Sequence, residues 1–148
     1  NKKYNFPCTI LRLYLVYGLS QDNNRLIPHT INECLNDNLF HCSAGTQYRD
    51  FLFVEDLIRA IFKCFNNNKS IGEVINIGTG KPRNVKKVIL FIKNKINLGK
   101  PIFGQISLRK DEIFRLYPNI TKAKKILNWK PYTSFQKGIK VIIKHYKS

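Results

Sequence analysis

Methionine is absent from all 148 residues, tryptophan occurs once, and the acidic residues number 9 against 26 lysines and arginines. The missing methionine, with a strand-like run only a few residues from Asn1, sets the expectation of a piece of a longer polypeptide. Motifs that belong upstream would then lie outside this chain. No apolar run approaches the ~20 residues that cross a bilayer, and the basic start Asn1-Lys2-Lys3-Tyr4 is not followed by a signal-peptide core. The expectation is a soluble, cytoplasmic protein. Cys8, Cys34, Cys42 and Cys64 lack any C-x-x-C pairing or a histidine at zinc-site spacing, which argues for reduced thiols over disulfides or a metal centre. His29, His41 and His145 are scattered, so no metal set is expected.

What is present is globular: 43% hydrophobic and 12% aromatic residues, enough for one domain with a core. The formal charge of +17 admits two readings. A stand-alone basic module for nucleic acid or an anionic surface is one. The other is lysine spread over solvated faces, densest at Lys86-Lys87 and Lys124-Lys125, without the arginine clusters and interleaved aromatics of a dedicated nucleic-acid surface. The second fits this sequence better.

Along the chain, "CTILRLYLVYG" (Cys8 to Gly18) reads as a strand buried on both faces, as in a parallel sheet covered by helices. Arg12 within it then needs a carboxylate, carbonyls or a place at the strand's end. Pro28 suits a helix start, with Ile31, Cys34 and Leu35 on one face. Val54, Leu57, Ile58, Ile61, Phe62 and Phe65 form a helical apolar stripe, with Glu55 and Asp56 in the first turn. "EVINIGTG" is a strand and a glycine turn. Asn84 caps a helix striped by Val85, Val88, Ile89, Ile92 and Ile96, which Gly99 and Pro101 end. Thr121 is expected to cap a short helix. Thr133-x-x-Gln136 has the form of a capping box before Phe135, Ile139, Ile142, Ile143 and Tyr146. Strands alternating with helices define an α/β fold.

Five segments then carry a resemblance. Arg12-Leu13-Tyr14-Leu15-Val16-Tyr17-Gly18 is similar to R-x-x-N-x-Y-G, and Arg25-Leu26-Ile27-Pro28 to an L-I-P segment. Gly45 to Ile61 is similar to G-x-x-x-R-D-[FW]-x-[YF]-V-x-D, and Asn76 to Gly80 to N-[IV]-G-x-G. Arg109-x-x-Glu112, with Thr121 to Lys124 and Leu127 to Pro131, is similar to R-x-G-D followed by S-K-A-x-x-x-L-G-W-x-P. In this order they resemble the C-terminal half of the extended short-chain dehydrogenases/reductases, the NAD-dependent epimerases and dehydratases that modify nucleotide sugars.

The resemblance implies late strands of a Rossmann-type NAD(P)-binding fold joined to the small substrate-binding domain, spanning residues 1–148. It implies that Arg49 and Arg109 hold the diphosphate of a nucleoside-diphosphate sugar, a role suited to the rigid donor fork of a guanidinium, with Asp50 and Glu112 orienting the forks. Taken alone, either arginine reads more readily as a salt-bridge partner, Arg49 of a nearby acid and Arg109 of Asp111 or Glu112. Leu26, Ile27 and Pro28 would line the base or sugar, Tyr17 and Gln21 would flank the same crevice, and Tyr14 would face the cofactor. That cofactor, NAD or NADP, needs an upstream glycine-rich turn, and the chemistry needs an upstream Y-x-x-x-K pair with a Ser or Thr. Tyr117 and Lys122 do not have that spacing, and "GTG" at Gly78 to Gly80 is a tight turn, not a phosphate loop. No catalytic residue is therefore expected in this chain. By itself it should be inactive and, with a sheet edge and apolar surface left uncovered, unstable; the whole enzyme should form a homodimer.

Several departures bear on substrate and reaction. Leu15 stands where the family has Asn, Leu19 where it has Pro, Asp111 and Glu112 where it has Gly and Asp, Asn119 where it has Asp, and Asn128 where it has Gly. They leave room for a degenerate relative that keeps the scaffold and serves only as a partner.

Overall fold

The computed structural model describes residues 6–147. The apolar run after Cys8 forms two strands, β1 (Ile10–Leu13) and β2 (Leu15–Tyr17), broken at Tyr14 because they take different neighbours. β1 runs parallel to β6 (Val74–Ile77), and β2 parallel to β5 (Phe51–Phe53). The run is not buried on both faces as its composition suggests: Ile10 and Leu13 are 57% and 46% exposed. Among the described residues β1 is paired on one side only, which leaves an open edge. Arg12 projects into solvent there and needs no buried partner.

Helix α1 (Leu26–Leu35) begins two residues before Pro28, which puts the proline in the first turn, where no intrahelical N–H bond is lost. It is followed by β3 (Leu39–Ser43), β4 (Tyr48–Arg49), β5, and α2 (Val54–Phe65). After β6 come β7 (Arg83–Asn84) and α3 (Val85–Ile96). β8 (Lys100–Ile106) then pairs in parallel with β3, a strand hidden in the sequence by Pro101 and Gly104. β9 (Arg115–Leu116), α4 (Thr121–Leu127) and α5 (Phe135–Lys147) complete the chain.

Strand β5 divides the interior. Its period-2 alternation sends Phe51 and Phe53 into a core built from α1, α3 and α5, and Leu52 into a second with Ile75, Ile77, Ala60, Leu127 and Trp129. The α3 stripe is buried as its spacing predicts. The α2 stripe is not. Only Asp56 and Ala60 of that helix are buried, and Ile58, Phe62 and Phe65 are 45%, 62% and 79% exposed. Leu57 of the stripe packs against the second core, while the Ile58, Phe62 and Phe65 side faces outward.

Caps follow the sequence in part. The Asn84 side chain accepts the N–H of Lys87 at 3.1 Å as expected. At α4 it is Asn119, not Thr121, whose side chain accepts, taking the Thr121 N–H at 2.8 Å. At α5 it is Ser134, not Thr133, whose hydroxyl accepts, taking the Lys137 N–H at 3.2 Å; the Thr133 N–H is given to Asp56.

All four cysteines are free. Cys34 is fully buried, and burial raises its thiol from 9.0 to about 11; burial raises Cys42 as well. Thiolate is the reactive form, so alkylation at pH 8 should spare Cys34 and Cys42 until the chain unfolds, as mass spectrometry of iodoacetamide adducts would report. The folded state favours the neutral Cys34 thiol. Its contribution to stability is therefore intact below pH 9.0 and falls as pH rises toward about 11. Urea titrations of the parent and Cys34→Ala should diverge in slope with pH only in that window; parallel pH profiles would refute the account.

Candidate functional site

Two elements converge around the Arg49–Asp50 pair: a small cationic sheet and an apolar cleft. The sheet has the order β7-β4-β9, with β4 antiparallel to β7 and parallel to β9. Arg49 sits on its central strand with its side chain only 13% exposed. One guanidinium nitrogen donates to the Tyr48 carbonyl at 2.9 Å, and another pairs with the Glu112 carboxylate. Glu112 belongs to the segment between β8 and β9, where its N–H donates to the Arg109 carbonyl at 3.2 Å. Arg109 starts that turn and its side chain is exposed, and Glu112, not Arg109, is the residue of the segment that contacts Arg49. The segment is held against β4 by the Tyr48 N–H, which donates to Phe114 O at 2.7 Å.

Asp50 does not orient Arg49. It is fully buried and points toward the turn after β6, where Oδ1 accepts the Thr79 N–H at 2.7 Å. Its Oδ2 accepts the Thr79 hydroxyl at 2.8 Å and the Lys81 N–H at 3.2 Å. Strand alternation explains the split: one residue of the pair faces the cationic sheet and the next is a structural clasp. The same turn excludes a dinucleotide cradle at Gly78-Thr79-Gly80. The Thr79 N–H and the following Lys81 N–H are given to Asp50, and a Cβ at Gly78 would lie 2.5 Å from Pro118 Cγ and 3.0 Å from Asp50 Oδ1, so the space is filled. This turn does not fit the pyrophosphate of a nicotinamide cofactor.

The cleft, of about 500 Å³, is a size ordinary for a small-molecule site. Tyr14, Tyr17, Gln21, Leu26 and Ile27 all line it, together with Leu15 and Phe51. Pro28 does not; it is buried in α1 behind them. Gln21 is held by donating to the Val16 carbonyl at 3.0 Å. Tyr17 is 2% exposed, with its hydroxyl a long 3.4 Å from the Phe135 carbonyl and packed so closely on α5 that a Cβ at Gly138 would lie 2.3 Å from it. Burial pushes the Tyr17 hydroxyl well above the tyrosine range, against the pull of Arg83, which keeps it protonated.

Arg83 was not singled out by its sequence context. It stands directly opposite Arg49 in the β4–β7 register, with its guanidinium 4.5 Å from the centre of the Phe135 ring. Like charges directly opposite on a sheet are unfavourable, and Glu112 compensates only Arg49. The signal available in the sequence was Arg83 lying three residues past the Gly78-Thr79-Gly80 turn, but nothing there tied it to β4. Among the described residues no cluster of His, Cys, Asp or Glu could hold a metal ion, and no helix is long and apolar enough to cross a membrane.

The parallel α/β scaffold thus sets Arg49 and Arg83 opposite one another on a small sheet, beside a cleft that Phe51 helps to line. Residues 1–78, over half of the chain, match the profile of the NAD dependent epimerase/dehydratase family, and the chain belongs to that family. It is 33% identical over 141 residues to CDP-abequose synthase of Salmonella typhimurium, covering 90% of this chain and 46% of that protein. It superimposes on UDP-glucose 4-epimerase of Thermotoga maritima, solved with UDP-glucose, with a TM-score of 0.91 at 26% identity over 99% of this chain and 48% of that one. UDP-glucuronic acid 4-epimerase of Bacillus cereus, solved with UDP-glucuronic acid and NAD, gives 0.89 at 28% identity, over 99% of this chain and 47% of that one. The fold is accordingly the Rossmann type of these enzymes, and the chain spans about half the length of the curated relatives it matches.

Proposed function

We propose that residues 1–148 supply the nucleotide-sugar-binding half of an NAD(P)-dependent nucleoside-diphosphate-sugar epimerase, dehydratase or reductase. The observation that carries this reading is Arg49, held on a central strand two residues before Phe51, which lines the apolar cleft. A diphosphate would lie along Arg49 and Arg109, and the base or sugar would occupy the cleft walled by Leu26 and Ile27, with Tyr17 and Gln21 behind. Pro28 would act by fixing the start of α1. The relatives named above support the substrate class, each with a sugar nucleotide in its own name or complex.

Hydride and proton transfer would be carried by residues outside this chain, as would the site for NAD or NADP; Tyr14 would meet that cofactor at the cleft's edge. The open edge of β1 is a surface an N-terminal half would cover, and the whole enzyme would be a homodimer. Four free thiols suit a cytoplasmic setting. Isothermal titration of the chain with UDP-, CDP- and dTDP-glucose should give saturable binding that prefers one base, with no turnover when NAD is added. Duplex DNA binding that falls steeply with salt, without nucleotide-sugar binding, would instead establish the basic-module reading.

A further inference from the structure

A second cavity, larger at about 750 Å³, opens between α2, the end of α4 and the segment from Trp129 to Tyr132. Arg59, Lys63, Lys124 and Lys130 line it, and no Asp or Glu does. Lysine is abundant throughout this chain, so lysines alone would not single the cavity out. What does is the way its walls are built. The fully buried Asp56 pairs with Arg59, accepts the N–H groups of Tyr132 and Thr133 at 2.8 and 2.9 Å, and through its main-chain oxygen takes Trp129 Nε1 at 3.1 Å. One residue, through its carboxylate and its main-chain oxygen, thus fixes a guanidinium, the Tyr132–Thr133 segment and the indole together.

The Arg59 guanidinium lies 5.4 Å from the centre of the Tyr132 ring, and its Nε is buried without a partner. Phe62 and Tyr132 are 62% and 71% exposed, two rings standing in water beside cations. Among the described residues Lys63, Lys124 and Lys130 have no carboxylate within ion-pair reach. Exposed rings offer stacking faces to a base, and unpaired ammonium groups offer charge to a phosphate. The volume admits a mononucleotide.

We propose that this cavity is a nucleotide-binding site, with the phosphate against Lys63, Lys124 and Lys130 and the base against Tyr132 and Phe62. It is independent of the Arg49 reading. Trp129 is the chain's sole tryptophan and part of the cavity wall, so its emission reports occupancy directly. AMP titrated into the 148-residue chain should change that emission saturably, with equilibrium dialysis giving the same affinity. Lys130→Glu should weaken AMP about tenfold through lost charge, and Tyr132→Ala about fivefold through lost stacking. Arg49→Ala should leave it within about twofold. Both cavity residues are exposed, so their variants should fold, which circular dichroism checks. Ribose 5-phosphate should bind more weakly than AMP. Equal binding of ribose 5-phosphate, no retention of AMP, or loss of AMP binding in Arg49→Ala would each overturn the proposal. Tighter, salt-steep binding of a short oligothymidylate would replace it with a nucleic-acid surface.

Discussion

Replacing Asp50 with asparagine is expected to lower the stability of the chain by about 3 kcal/mol, a large part of the 5–15 kcal/mol that usually holds a domain together. The buried carboxylate accepts three hydrogen bonds, two from main-chain N–H groups and one from the Thr79 hydroxyl. An amide offers one accepting oxygen and places its NH2 against donors on the other side. At least one N–H of the turn then loses its partner on the buried side of Asp50, where an amide cannot accept it. The damage should spread, because Asp50 ties the β4–β5 junction to the turn after β6, and its main-chain oxygen also accepts the Leu15 N–H at 3.2 Å. Thr79→Ala, which removes one of the three bonds and leaves the carboxylate charged, should cost about 1 kcal/mol. Urea denaturation followed by circular dichroism measures both. An asparagine variant within about 0.5 kcal/mol of the parent would show that the clasp is incidental.

The sequence made the helices legible and concealed what covers them. The α3 stripe and its Asn84 cap are local features, and the structure reproduces them because nothing distant competes. The stripes of α2 and of the Cys8–Gly18 run are equally clear, yet both lie largely exposed, since periodicity states which face is apolar and not whether a neighbour is there. β8 escaped notice because Gly99 and Pro101 end α3 so plainly that the strand beyond reads as loop. At the candidate site, Arg49 stood out through its pairing with Asp50, but the two residues proved to face different tasks. Arg83 was invisible as a neighbour, since its closeness to Arg49 depends on an antiparallel register set by residues 34 positions apart in the chain.

The pair of Arg49 with Glu112 yields the sharpest binding prediction, one that rests on the proposed diphosphate site. Arg49→Ala should weaken nucleoside-diphosphate-sugar binding about a hundredfold, the loss of two charge-assisted hydrogen bonds from a fork already held in place. Arg49→Lys should recover only part of that, because an ammonium cannot match two phosphate oxygens at once. Glu112 pulls in two directions. It orients the guanidinium, but a diphosphate arriving at Arg49 must come beside its negative charge. Unit charges about 5 Å apart near a protein surface interact by roughly 3 kcal/mol, more than one orienting hydrogen bond contributes. Arg49 also keeps its second anchor at the Tyr48 carbonyl when Glu112 is neutralised. Repulsion therefore wins, and Glu112→Gln should tighten binding several-fold while Arg49→Ala in the same background still weakens it. If Glu112→Gln weakens binding instead, the carboxylate touches the ligand or is needed to aim the arginine. If Arg49→Ala changes nothing, the diphosphate does not bind at this sheet, and the ion pair between β4 and the 109–116 segment is purely structural.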